Sequence, residues 1–240
     1  MSPARKAQDT ARTPAITREA LAAAGLAVLR RDGLDALSMR KVAAELGVRA
    51  ASLYWHVQDK EELLDLLADS LLWDARKLTT QGPWDVRLRE MAVAYRCHLH
   101  ANRDSARIMA GRLVPGPNLI YVLDTMLGWL REAGFSPADA ARATRTIATH
   151  VQGFVLQEQL PISALEAHGA GPAQAVAAAA EAFRAAPAEQ YPHVAAMAEM
   201  VIGDDMDAIF LFGVERIIDG LRTLAGGAER PADPEPRARD

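Results

Sequence analysis

Between residues 38 and 60 lies a set of side chains suited to reading a nucleic acid: Arg40, Arg49, Ser52, Tyr54, His56 and Lys60. Arginine can pair with two acceptors on the major-groove edge of guanine, while lysine and hydroxyl groups hold phosphate. What makes the set informative is the framework between its members. Val42, Leu46, Val48 and Leu53 are apolar, Ala43 is small, and Gly47 can take the positive φ of a tight turn. A helix-turn-helix needs that combination: a small residue where two helices touch, a bend, and buried apolar anchors on both sides. In such a motif the second helix lies in the major groove with its N-terminal residues at base edges. Arg49, Ala50, Ser52, Tyr54 and His56 are expected there, joined by Ser38, Met39 and Arg40 from the start of the first helix. Lys60 and Ser52 are expected on phosphate. Leu53 and Trp55 are expected to face the core.

Other chemistry has little support. Cys97, His98 and His100 cluster locally, but on a helix only Cys97 and His100 share a face. No HExxH, paired CxxC, phosphate loop or nucleophile elbow is present. The expectation is no enzyme, no bound metal and no cofactor. A single cysteine forbids an internal disulfide, and no apolar run is long enough to span a membrane. Together with the missing apolar leader, this predicts a cytoplasmic protein without a membrane partner.

The elements that must position these residues are helical. Alanine is abundant and aromatics are few. Residues 1–15 read as a flexible arm and 16–62 as the DNA-binding head. Thr17 caps a helix over about 18–31 that ends at Gly33, Ser38 caps a second that stops at Gly47, and a third runs from about Ala50 to Val57. Asp59 caps a fourth, with Glu62 completing a capping box, and this helix extends to about Leu78 before Gly82-Pro83. A body over 63–225 follows, with helices at about 84–101, 104–112, 118–133 and 137–159. Residues 160–171 read as a loop and 172–186 as an alanine-rich helix. Asp204 or Asp205 caps a last helix to about Leu224, and 226–240 read as a disordered tail. The architecture is all-α.

Charge is distributed to match. Residues 1–60 hold ten Lys/Arg against six Asp/Glu, and the remainder seventeen against twenty-five, so a basic head precedes an acidic body. Two apolar stripes in the body suggest a homodimer. One includes Ile209, Phe210, Gly213, Ile217 and Leu221, and the other Ile147, Val151 and Phe154. Two such helices from each copy would make a four-helix interface, with Gly213 small enough to let a helix approach. The alternative is that both stripes fill a monomer core.

Residues 52–68, SLYWHVQDKEELLDLLA, resemble the tetracycline-repressor (TetR) family. FLFGVERIIDGLRTL (210–224), RCHLHANRDSAR (96–107) and LREAGFSPADA (130–140) resemble its tetracycline-repressor subclass. The resemblance implies an all-helical homodimer that represses at a palindromic operator and is released by a small-molecule inducer. It also implies that the fourth helix links head to body and swings the head. An activator or an architectural DNA-binding protein remains the alternative.

The resemblance also locates a pocket and shows what it lacks. The subclass holds a drug–magnesium chelate with polar side chains. Here those positions fall on Arg76, Met91, Met109, Arg112, Met126 and Gln157, while an aromatic wall survives as Tyr95. A magnesium site is therefore not expected. Methionine is flexible and polarizable and suits apolar ligands, so an apolar or aromatic ligand is expected. Leu123 and Leu127 would join the apolar wall, and Arg76, Arg112, Gln157 or His150 would give one or two polar contacts. Plain core packing is the other reading of the methionines.

Overall fold

The computed structural model describes residues 16–72, 81–112, 114–168, 172–202 and 205–225. Arg76, the arm 1–15, the tail 226–240 and the far end of the fourth helix lie outside them. Contacts divide the chain into two compact units between Leu67 and Ala68, five residues later than the sequence boundary. Among the described residues there are helices and no strand.

The first unit is built from α1 (Arg18–Asp32), α2 (Met39–Glu45), a 3₁₀ segment (Ala50–Trp55) and the start of α3 (Lys60–Leu71). Local chemistry sets its boundaries. Thr17 Oγ1 accepts from the Ala20 amide at 3.1 Å, and Ser38 Oγ from the Lys41 amide at 3.4 Å. Asp59 accepts from the Glu62 amide at 2.9 Å, while Glu62 reaches back to the Gln58 amide at 2.7 Å. Each cap satisfies an amide that the helix itself cannot. Gly47 turns the chain at φ 67°, a conformation an L side chain rarely adopts. Leu21, Val28, Leu29, Val42, Leu53, Leu63 and Leu67 fill the core, each fully buried. Gly25 lets α1 approach α3: a Cβ there would lie 2.7 Å from Leu67 Cδ2.

The second unit holds the last turn of α3, then α4 (Trp84–His100), α5 (Ser105–Met109), α6 (Pro117–Glu132), α7 (Pro137–His168), α8 (Pro172–Arg184), α9 (Pro192–Ile202) and α10 (Met206–Arg222). The long α7 packs on α4, α5, α6 and α10, while α8 and α9 pair as a hairpin. Asp205 caps α10 by accepting from the Ala208 amide at 3.0 Å.

Three elements differ from expectation. The third helix is a short 3₁₀ segment that ends at Trp55, and no side chain caps its start. The expected loop at 160–171 is largely helix, since α7 runs through Pro161 to His168. A proline removes one backbone donor, and the Ala, Leu and Glu that follow favour helix strongly enough to continue it. The helix α9 lies in a stretch with no clear signal in the sequence.

Candidate DNA-reading surface and ligand cavity

In the first unit the turn at Gly47 separates buried anchors from an exposed polar face. Ala43 is 2 % exposed and Leu53 is fully buried, whereas Arg40, Arg49, Tyr54 and Lys60 are exposed. Ser38, Met39, Ala50, Ser52 and His56 are half-buried beside them. Trp55 departs from the expected core position: it is 89 % exposed. In the 3₁₀ segment residues three apart eclipse, so Leu53 takes the inward position and its neighbours Tyr54 and Trp55 turn out.

The basic charge of this unit is of two kinds. Arg31 pairs with Glu45 at 2.7 Å and with Asp32 at 3.0 Å, and Lys41 pairs with Asp32 at 2.8 Å. These cations hold the Asp32 carboxyl below its ordinary value, the hydrogen bond from Lys41 contributing most. Arg40, Arg49 and Lys60 make no ion pair among the described residues. Their charge is therefore open to an external anion, and like Tyr54 and Trp55 they are exposed.

In the second unit α4, α5, α6 and α7, with the last turn of α3, enclose a cavity of about 700 Å³. Met91, Met109 and Met126, each 5–6 % exposed, form part of its wall. Tyr95, Arg112, Leu123 and Leu127 also line it, as the sequence suggested. Gln152 donates to the Tyr95 hydroxyl at 3.0 Å, and burial pushes the Tyr95 phenol up to about 12, so it stays neutral. Methionines and leucines with a few hydrogen-bonding groups make a wall for a largely apolar guest.

His150 and Gln157 are not part of that wall. His150 stacks on Phe210, with centroids 5.5 Å apart, and fills the space that Gly213 leaves: a Cβ there would lie 2.4 Å from the ring. The close neighbour of Gly213 is thus α7 of the same chain. Gln157 is exposed. Gln152 lines the cavity instead, five residues earlier and on a different side of α7.

Other cavity residues escaped the sequence reading. Asp69 is 6 % exposed on the last turn of α3 and lines the cavity. Its carboxylate accepts from the Leu119 amide at 3.0 Å, the Asn118 amide at 3.4 Å and Asn118 Nδ2 at 3.1 Å, so it caps α6 from another helix. Gly116 makes room, since a Cβ there would meet the Asp69 carboxylate at 2.2 Å. Thr144 on α7 is 2 % exposed, and its hydroxyl has no hydrogen-bond partner among the described residues. The only available signal for either was one polar residue inside an apolar stripe.

The stripes assigned to a dimer divide in the same way. Ile147 and Val151 are 1–2 % exposed and line the cavity, and Phe210 and Leu221 are buried in the core of a single chain. They are packed within the single chain. Ile209 remains 47 % exposed, and Phe154, Gly213 and Ile217 half so, beside Phe212 at 67 %. Arg96 ties α4, α7 and α10 beneath this surface, donating to Glu158 at 3.2 Å and Asp207 at 2.7 Å and lying 4.7 Å over the Phe210 ring. Burial alone would raise Glu158, yet hydrogen bonds from Arg96 and His100 hold it below the ordinary carboxylate value. Among the described residues no group of His, Cys, Asp or Glu could hold a metal ion, and no helix is long and apolar enough to cross a membrane.

Comparison with known proteins gives the two units one source. Residues 21–67 match the family model for bacterial regulatory proteins of the tetR family. Residues 78–225 match the tetracyclin repressor-like C-terminal domain. The tetracycline repressor protein class G of Vibrio anguillarum is 35% identical over 205 residues, covering 84% of this chain and 91% of the relative. The crystal structure of the TetR family protein ActR of Streptomyces coelicolor in complex with actinorhodin superposes with a TM-score of 0.77 at 31% identity, covering 89% of this chain and 98% of that one. A variant of TetR from Acinetobacter baumannii AYE, in complex with minocycline, gives 0.65 at 30% identity, covering 88% and 99%. With a helix-turn-helix unit and a cavity-bearing helical unit both matched along their length, the chain belongs to the TetR family of bacterial transcriptional regulators.

Proposed function

We propose that this regulator is a cytoplasmic repressor that binds a palindromic operator as a homodimer and releases it when an apolar or aromatic molecule enters the cavity. The observation that carries the reading is the pairing, in one chain, of unpaired exposed Arg40 and Arg49 on a helix-turn-helix with a cavity of about 700 Å³ walled by methionine and leucine. The exposed face of the 3₁₀ segment, Tyr54 and Trp55 included, enters the major groove, with Arg49 and Arg40 at base edges and Lys60 on phosphate. The related ActR and TetR structures hold actinorhodin and minocycline, which supports a small-molecule effector here. The helix α3 begins in the DNA-binding unit and its last turn carries Ala68 and Asp69 of the cavity wall. It is the element assigned to carry ligand occupancy to the head. Ile209, Phe212 and Ile217 of α10, with Phe154 of α7, form the dimer surface.

Selection from a random duplex pool at two salt concentrations tests the reading. One palindromic site with half-sites about one helical turn apart, recovered at both concentrations, is expected. Binding without sequence preference that collapses as salt rises would favour an architectural role through phosphate contacts alone. Calorimetry with tetracycline plus magnesium tests the ligand class. No metal-dependent binding is expected, because methionines occupy chelating positions, and tight binding would overturn that part.

A further inference from the structure

The polar groups of the cavity are sorted by depth. In the buried wall Thr144 carries a hydroxyl with no hydrogen-bond partner among the described residues, and Gln152 donates to the Tyr95 hydroxyl at 3.0 Å. Asp69 is the carboxylate of the wall, and it is committed to the first amides of α6. At the rim stand Gly111, Ala141, Arg145 and Thr149, all exposed, with half-buried Arg112 beside them. Arg145 has no acidic partner among the described residues. Among the described residues of the lining, Arg145 and Arg112 thus stand near the opening, while Asp69 directs its hydrogen bonds to α6.

We propose that the ligand of this cavity is an organic anion: an apolar body whose single acidic group lies at the rim between Arg145 and Arg112, and whose hydroxyl or carbonyl group meets Thr144. The inference rests on the effector role given to the cavity above. Its physical basis is twofold. An arginine offers a planar fork that matches a carboxylate, and such charge-assisted pairs are about twice as strong as neutral hydrogen bonds. A buried hydroxyl left without a partner carries an unrecovered desolvation cost, which a ligand group can recover. The same lining disfavours a cation, which would meet the Arg145 guanidinium, and gives a fully apolar molecule nothing for Thr144.

Matched probe pairs test this by titration: 1-pyrenebutyrate against 1-pyrenebutanol, and dodecanoate against dodecanol. In at least one pair the acid is expected to bind about tenfold or more tightly than its alcohol, the gain of one charge-assisted pair. The double variant Arg112→Gln/Arg145→Gln should erase that preference while still binding the alcohol, which shows that the cavity still forms. Thr144→Val, nearly isosteric, should weaken a hydroxylated acid such as 12-hydroxydodecanoate more than dodecanoate itself. Equal binding of acid and alcohol, or a preference that survives loss of both arginines, overturns the anion inference and leaves the cavity reading standing. Failure of every probe to bind the wild-type protein counts against the cavity as an effector site, and the inference falls with it.

Discussion

The DNA-binding head and the ligand-binding body are both helical, yet they present their functional side chains in opposite ways. In the head the working residues project from one short contiguous segment into solvent, and a few buried anchors set their direction. In the body they point inward from five helices, and no single helix holds enough of them to define a site. A surface that reads a long polymer can be flat and local. A cavity that encloses a small molecule must be assembled from distant parts of the chain.

Variants can separate the two regions. The largest effect is expected from Leu53→Ala, which empties a fully buried position in the head and should cost about 2–5 kcal/mol. Operator binding should be lost while probe binding in the cavity persists, as read by anisotropy and calorimetry on the same preparation. If the cavity fails too, the units are not independent. Arg49→Ala should next weaken operator binding by about 1–3 kcal/mol and relax preference at one base pair, with no change in melting temperature. Uniform weakening across all sequences would move Arg49 from base edge to phosphate.

In the body, Asp69→Ala leaves two amides of α6 without their acceptor, while Asn118 Nδ2 keeps the carbonyl of residue 69. A loss of about 1–2 kcal/mol in chemical unfolding is expected, with Asp69→Asn milder because it keeps one acceptor oxygen. Acid should have a smaller effect, concentrated in the same unit. Burial lowers His98 below its ordinary 6.5, so the unfolded chain takes up that proton first as pH falls. Stability is thus full above about 6.5 and declines through the window down to the folded value. Glu158 and Asp85, both held low, lose their contributions at still lower pH. Thermal melting from pH 7.5 to 5 should show the decline, and His98→Asn should flatten its upper part. An unchanged profile in that variant would reassign the effect to other groups.

The head was legible in the sequence because its determinants are local. Thr17, Ser38 and Asp59 cap helices within three residues of themselves, and Gly47 sets a turn by its own φ. Trp55 escaped because the distinction between a full α-helix and a 3₁₀ segment turns one residue from core to solvent. In the body the methionines, Tyr95 and the leucines of α6 could be placed on the cavity, since the family resemblance aligned whole helices. His150, Ile147 and Val151 lie against neighbours within the chain that the sequence did not name. Two apolar faces on α7 look alike in sequence, and only the neighbours decide which meets the cavity and which meets α10.

What the sequence determined by itself is the all-helical architecture, the helix-turn-helix and the basic head on an acidic body, all of which follow from caps, periodicity and charge along the chain. The tertiary structure alone decided that Asp69 caps α6 across 49 residues, that Gly213 receives His150 and that Thr144 stands unpartnered beside a cavity. Those facts depend on which helices pack together, and spacing within a helix fixes the face a residue lies on without naming what that face will touch.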